Sequence, residues 1–133
     1  PSEITENAIE LLKNWASIYK SSDYSTVWNS IENLIRPLIG DSIWDSIWGP
    51  TWDSVWNSVW NLVENSISYS FWNSIKTSVF AYFGSLFKIK KWENNYPYQP
   101  AVDIWKLGLV PSFDSKLWRL HSKRGIEWEG ELK

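Results

Sequence analysis

The chain has no cysteine and no methionine, and it has a single histidine, His121, among its 133 residues. Without cysteine, a disulfide framework, a thiol nucleophile and a cysteine metal site are all excluded. One imidazole cannot form a metal site with two or more histidine ligands. No Gly-X-Ser-X-Gly element and no Gly-rich phosphate loop occurs either. These absences predict a protein that is not an enzyme and that uses neither a cofactor nor a metal.

Long apolar runs are also missing, because Ser, Asn or Asp interrupts the central sequence every four residues. A membrane-spanning helix needs about 20 predominantly apolar residues, so the sequence predicts no transmembrane segment. The first residues, PSEITENAIELLKNW, have neither the basic nor the apolar region of a signal peptide. We therefore expect an intracellular product.

The chain instead contains a four-residue repeat that runs from Ser25 to Lys88 with no insertion or deletion. The third slot of each tetrad is apolar in fifteen of sixteen cases, the second slot is mostly Ser, and the first is mostly Asn or Asp. Four residues advance a helix by about 400°, so each slot drifts by roughly 40° per tetrad and a short helix is amphipathic. If the same sequence formed a β-strand, neither face of the strand would be apolar. The fourth slot holds seven of the twelve tryptophans: Trp28, Trp44, Trp48, Trp52, Trp56, Trp60 and Trp72.

The repeat predicts a mainly α fold of several short, tightly packed helices, followed by a small C-terminal β-hairpin. The Ser row should let neighbouring helices approach closely. Gly40 and Gly49-Pro50 indicate helix ends. We therefore expect helices near residues 3–20, 24–39, 42–48, 51–67 and 70–88. The alternative is a tetrapeptide-repeat β-solenoid, which would explain better why the repeat keeps its phase across Gly49-Pro50.

Both the net charge and the residue composition of the chain change near Lys88. Residues 1–87 carry a net charge of −5 and residues 88–133 one of +3. The sequence therefore predicts a repeat body over 1–88 and a C-terminal module over 89–133. Pro97 and Pro100 mark a linker, and a short helix is expected over 101–107.

The last stretch, KLWRLHSKRGIEWEGELK, predicts the hairpin. A three-residue loop, with Gly125 in a left-handed conformation, would pair Arg119 with Glu129 and His121 with Glu127 on one face. The other face would be apolar and would dock on the helical body or on a neighbouring subunit. Its members are Trp118, Leu120, Ile126 and Trp128.

The tetrads SIWDSIW, TWDSVWNSVW and FWNSIKTSVFAYF, followed by YPYQPAVDIWKLGLVPSFDSKLWRLH, resemble a group of uncharacterised proteins from bacteriophage and metagenomic sequence. These proteins have Ser-Val-X-X tetrads and a Trp-Lys-X-Gly-Leu-Val-Pro-Ser-Phe-Asp type ending. The resemblance implies a phage-like origin and adds a virion-associated location to the intracellular one. It implies nothing about catalytic residues.

Two sets of side chains are candidates for function. Asp41, Asp45 and Asp53 share a slot, but their spacing follows the repeat, which is typical of a solvated face. The second set is aromatic, and it is a candidate interface or ligand-binding surface. Its members are Trp44, Trp48, Trp52, Trp56, Trp60, Trp118 and Trp128.

The hypothesis with most support at this point is a self-associating structural protein that forms homo-oligomers, since exposed aromatic surface usually meets a partner. The alternative is a binding module whose Trp row contacts carbohydrate or single-stranded nucleic acid. The acidic repeat disfavours nucleic acid, because phosphates would have to be neutralised by Lys88, Lys90, Lys91, Lys123 and Arg124.

Overall fold

The computed structural model describes residues 5–21, 24–66, 72–87 and 92–132, without the side chains of residues 20, 21 and 24. Over these ranges the chain forms five helices and a three-stranded sheet, which confirms the mainly α prediction. The helices are α1 (Glu6–Ser21), α2 (Tyr24–Ile39), α3 (Asp41–Val63), α4 (Trp72–Ser85) and α5 (Gln99–Lys106). The strands are β1 (Val110–Phe113), β2 (Trp118–Ser122) and β3 (Gly125–Gly130). The expected helix boundaries at 3, 67, 70 and 88, and the lysines Lys88, Lys90 and Lys91, lie outside the described residues.

Nine members of the apolar slot are buried in the core, as the period predicts, whereas Ile43 in the same slot is 54% exposed. Within the described ranges, the buried members come from α2, the second half of α3, and α4. Burying such side chains contributes about 1.5–3 kcal/mol each, which offsets the weak helix propensity of Val, Ile and Ser. The buried members are Val27, Ile31, Ile35, Val55, Val59, Val63, Ile75, Val79 and Phe83.

The helix end predicted at Gly49-Pro50 is wrong, because α3 runs through both residues without a break. A proline inside a helix removes one backbone donor and crowds the carbonyl four residues earlier, which costs about 3 kcal/mol. Packing on both sides holds the helix together, since Trp48 and Trp52 lie in the same aromatic cluster. The repeat therefore keeps its phase at this point because the helix is continuous.

Replacing Gly49 with alanine is expected to raise the free energy of unfolding by about 1 kcal/mol, since glycine is that much worse than alanine inside a helix. A Cβ at Gly49 meets no atom within 4 Å. Gly40→Ala is the matched control: its φ of 87° strains an L-residue, so this variant should gain no stability. Urea denaturation of both variants measures the difference, and a loss of stability in Gly49→Ala would contradict a continuous α3.

Helix α4 lies at the centre and contacts α2, α3, α5 and β1. The second-slot serines of α4 are buried, and Ser74 links α4 to the sheet, because its Oγ accepts a hydrogen bond from the backbone N–H of Phe113 at 2.7 Å. Ser78 Oγ donates to the carbonyl of Ile75 at 2.8 Å. At Gly84 a Cβ would lie 2.8 Å from Ile31 Cδ1, so glycine allows α2 and α4 to pack closely there. The predicted role of small residues holds in α4, whereas the α3 serines face solvent.

The sheet is antiparallel in the order β1-β2-β3. Strand β1 was not predicted, and it contains Pro111, which an edge strand tolerates. Arg119 pairs with Glu129 as expected, with Nε 3.2 Å from Oε1, and Gly125 has the expected positive φ.

The predicted pairing of His121 with Glu127 is wrong. A register shift between Leu120 and His121 places His121 opposite Ile126, and Ser122 pairs with Gly125, so two residues and not three form the turn. Glu127 instead accepts a hydrogen bond from Ser122 Oγ at 2.6 Å.

One cluster of buried side chains includes residues from both the repeat helices and the C-terminal segment. Leu12 and Trp15 from α1, together with Ile31 from α2, share this cluster with Ile104 from α5 and Leu120 from β2. The C-terminal segment thus packs on the helical body of its own chain.

Candidate interface and buried polar site

The indole row of α3 winds from the core to the solvent. Trp44 is 3% exposed, Trp48, Trp52 and Trp56 are half-buried, and Trp60 is 41% exposed. The physical reason is the drift of the repeat: Trp60 lies about 160° around the helix from Trp44. Val55 lies only about 20° from Trp44, so the valine slot takes over the core position in the second half of α3.

Neighbouring rings in the buried part of the row contact one another. The ring centroids of Trp44 and Trp48 are 6.3 Å apart with parallel planes, and those of Trp48 and Trp52 are 5.3 Å apart. Helix α4 covers them, with Phe83 5.2 Å from Trp48 and Phe80 4.9 Å from Trp52. These indoles are therefore largely occupied by contacts within the chain.

The row ends in an outward-facing group, which we call the indole patch and define as Trp56, Trp60 and Trp72. Trp72 begins α4, is 37% exposed, and packs edge-on against Trp56 with centroids 4.7 Å apart. Trp60 follows Trp56 by one helical turn. The neighbouring α3 positions Asp53, Asn57 and Asn61 are exposed and polar. Trp72 was not among the predicted site residues, although its place in the fourth slot was visible in the sequence.

The electrostatic character of α3 is acidic, since it contains three aspartates and no lysine or arginine. Asp41, Asp45 and Asp53 are all exposed, and Asp41 accepts a hydrogen bond from Arg36 at 2.8 Å. The aspartates do not form a cluster with His121, which lies in the sheet. The basic β2–β3 turn lies beside the end of α3. It is held there by a hydrogen bond of 3.2 Å from Asn65 Nδ2 to the Lys123 carbonyl.

The two C-terminal candidates lie in different environments. Trp118 is buried between Phe113, at 4.8 Å and nearly parallel, and Tyr19, at 5.6 Å and perpendicular. Trp128 is half-buried opposite Leu120. Neither has the exposure of Trp60.

His121 forms a buried polar site that sequence reasoning missed. Its Nδ1 lies 2.7 Å from Ser66 Oγ, and its Nε2 lies 2.6 Å from Ser112 Oγ. The ring joins the end of α3 to β1. A neutral imidazole donates through one nitrogen and accepts at the other, and each hydroxyl can supply the complementary group. The sequence contains no signal for the bulge that turns His121 inward.

The environment keeps His121 neutral. Burial, with a smaller effect of the Arg119 charge, lowers the pKa of His121 to about 4. Arg119 itself is 2.7 Å from Asp114, and the pKa of Asp114 is lowered to about 2, first by the Leu117 backbone N–H and then by Arg119.

The Ser112–His121 pair has the distance of a nucleophile and its base, but its surroundings differ from those of a catalytic pair. Both residues are fully buried, and the second ring nitrogen contacts a serine hydroxyl where a triad has a carboxylate. Across the described ranges, no three His, Cys, Asp or Glu side chains form a group able to hold a metal ion.

Across the same part of the chain, no helix has the length and apolarity that crossing a bilayer requires. Comparison of the chain with models of protein families, with curated proteins and with solved structures gives no match.

Proposed function

We propose that the protein is a non-enzymatic structural protein that associates with copies of itself through the indole patch. The observation that carries this proposal is the exposure of Trp60 and Trp72 beside the exposed polar positions Asp53, Asn57 and Asn61. Tryptophan supplies a large apolar area, and aromatic residues are enriched in protein interfaces. The resemblance of the tetrads to phage sequences supports a virion-associated role.

The charges near the patch favour a second copy as the partner. Helix α3 is acidic, whereas the β2–β3 turn beside its end carries the exposed Lys123 and an Arg124 that is paired with Glu127 at 3.1 Å. A second copy offers both signs and can therefore complement both. A polyanion such as nucleic acid would be repelled by Asp53 and Glu64 on either side of Trp60.

The test is the mass of the protein in solution as a function of concentration. Light scattering coupled to size-exclusion chromatography should show oligomers at micromolar concentration, and the double variant Trp60→Ser/Trp72→Ser should run as a monomer. Both indoles are also partly buried within the chain, so the double variant should melt at a lower temperature than the parent but remain folded at room temperature. Leu38→Ser is the matched control, because Leu38 is 66% exposed but lies at the end of α2. It should assemble like the parent.

Two results would remove the proposal. One is a parent protein that stays monomeric at all concentrations. The other is a double variant that unfolds at lower temperature while its oligomers persist, because the indoles would then serve the fold and not the contact.

A further inference from the structure

A cleft of about 350 Å³ lies at the turn before α5, and it shares no residue with the indole patch. Its volume falls at the lower end of the range of small-ligand pockets, about 300–1,000 Å³. Its described lining residues are Trp92, Glu93, Asn94, Asn95, Tyr96 and Gln99. The sequence predicts a linker here, but Pro100 lies in the first turn of α5.

The lining combines one indole with several side-chain amides. Each Asn or Gln amide offers both a donor and an acceptor, and the Glu93 carboxylate adds acceptors. Vicinal hydroxyl groups need this mixture, since each hydroxyl both donates and accepts. Asn94, Asn95 and Glu93 are exposed, and Trp92 is half-buried at the edge of the core.

Contacts beneath the cleft fix the position of the indole. The ring of Trp92 packs edge-on against Tyr96, with centroids 4.9 Å apart. Tyr96 is held in turn by its hydroxyl, which donates to the Ala81 carbonyl, and burial raises the pKa of this hydroxyl. Gly84 makes this contact sterically feasible, because a Cβ there would collide with the Tyr96 hydroxyl. The aromatic wall is thus pre-organised by α4.

Hydrogen bonds define the backbone of the turn and the position of Gln99. The N–H of Asn95 donates to the Trp92 carbonyl at 3.1 Å, and Gln99 Nε2 donates to Asp103 Oδ1 at 2.8 Å. The backbone that carries Asn95 is therefore a defined turn, and the Gln99 amide is paired with Asp103.

We propose that this cleft binds a neutral saccharide, with the sugar's C–H face against the Trp92 indole and its hydroxyls bonded to Asn94, Asn95 and Glu93. The only charge among the described lining residues is the Glu93 carboxylate. It repels phosphate, sulfate and uronate groups, so a neutral sugar fits better than a nucleotide or an acidic glycan. This inference does not depend on self-association.

Ligand-observed saturation-transfer NMR with cellotetraose, maltotetraose and chitotetraose tests the proposal on the full chain. At least one neutral probe should bind with a dissociation constant of about 1 mM or tighter, which corresponds to roughly 4 kcal/mol. Trp92→Ala and Asn94→Ala/Asn95→Ala should each weaken binding at least tenfold. Trp60→Ser, an exposed indole outside the cleft, should bind like the parent.

Glu93→Gln should improve binding of a uronate-containing probe such as tetragalacturonate relative to the neutral probes, since one repulsive charge is removed. The exposed Asn94/Asn95 pair decides the question if Trp92→Ala fails to fold. No saturable binding of any neutral probe, or unchanged binding in the asparagine double variant, would overturn the saccharide assignment. A self-association result of either kind would leave it untouched.

Discussion

Replacing Phe83 with alanine is expected to lower the free energy of unfolding by about 3–5 kcal/mol, the usual cost of removing a buried phenylalanine ring. Phe83 is fully buried in α4 and contacts rings from two other helices. Its centroid lies 5.8 Å from Trp28, 6.1 Å from Trp44 and 5.2 Å from Trp48. Large rigid rings cannot collapse into the space, so the cavity remains and its cost adds to the lost burial.

The measurement is chemical denaturation of the parent and the variant, with Leu86→Ala as the matched control. Leu86 is three residues away and 47% exposed, so its loss should change the free energy of unfolding by less than about 0.5 kcal/mol. Equal losses in both variants would show that the aromatic cluster between α2, α3 and α4 does not hold the helices together.

Lowering the pH from about 7 to about 4 is expected to lower the free energy of unfolding by about 3 kcal/mol through His121 alone. In the unfolded chain this histidine has an ordinary pKa near 6.5, whereas its pKa in the native state is about 4. Between these values only the unfolded chain binds the proton, so acid favours unfolding. The maximum slope is about 1.4 kcal/mol per pH unit.

The chain is favourable for this measurement because it has one histidine and no cysteine. About 2 kcal/mol of the effect should fall between about pH 7 and pH 5, above the range in which most carboxylates titrate. His121→Gln removes the titrating group while keeping an amide that can donate and accept. Its free energy of unfolding should be nearly flat over the same interval. A slope that persists in His121→Gln would show that another group is responsible.

Much of the helical body could be predicted from the sequence, because a four-residue period with one apolar slot is incompatible with a half-buried strand. The helix end predicted at Gly49-Pro50 was wrong because this dipeptide is a local signal for a helix end, and tertiary packing of Trp48 and Trp52 overrides it. Once α3 is one helix of 23 residues, the drift of the repeat moves Trp60 out of the core. A shorter helix would not have separated the tryptophans in this way.

The C-terminal segment was harder to predict. The pairing of Arg119 with Glu129 follows from charge and spacing, but the burial of His121 involves hydrogen bonds to Ser66 and Ser112, which lie on other parts of the fold. Strand β1 was not predicted because it contains Pro111, and proline within an apolar run argues against a strand except at the edge of a sheet. The cleft at Trp92 depends on the contact between Gly84 and the Tyr96 hydroxyl. The local sequence around either residue does not predict this contact.

Self-association through the outward end of the indole row is tested most directly by ¹⁹F NMR of protein labelled with 5-fluorotryptophan, recorded over a dilution series. The twelve tryptophans give separate probes, and the variants Trp60→Phe and Trp72→Phe assign the two resonances that matter. The resonances of Trp60 and Trp72 should shift with concentration while those of the buried Trp15, Trp44 and Trp118 stay fixed. Resonances of Trp60 and Trp72 that do not change over the whole series would contradict an interface at the indole patch.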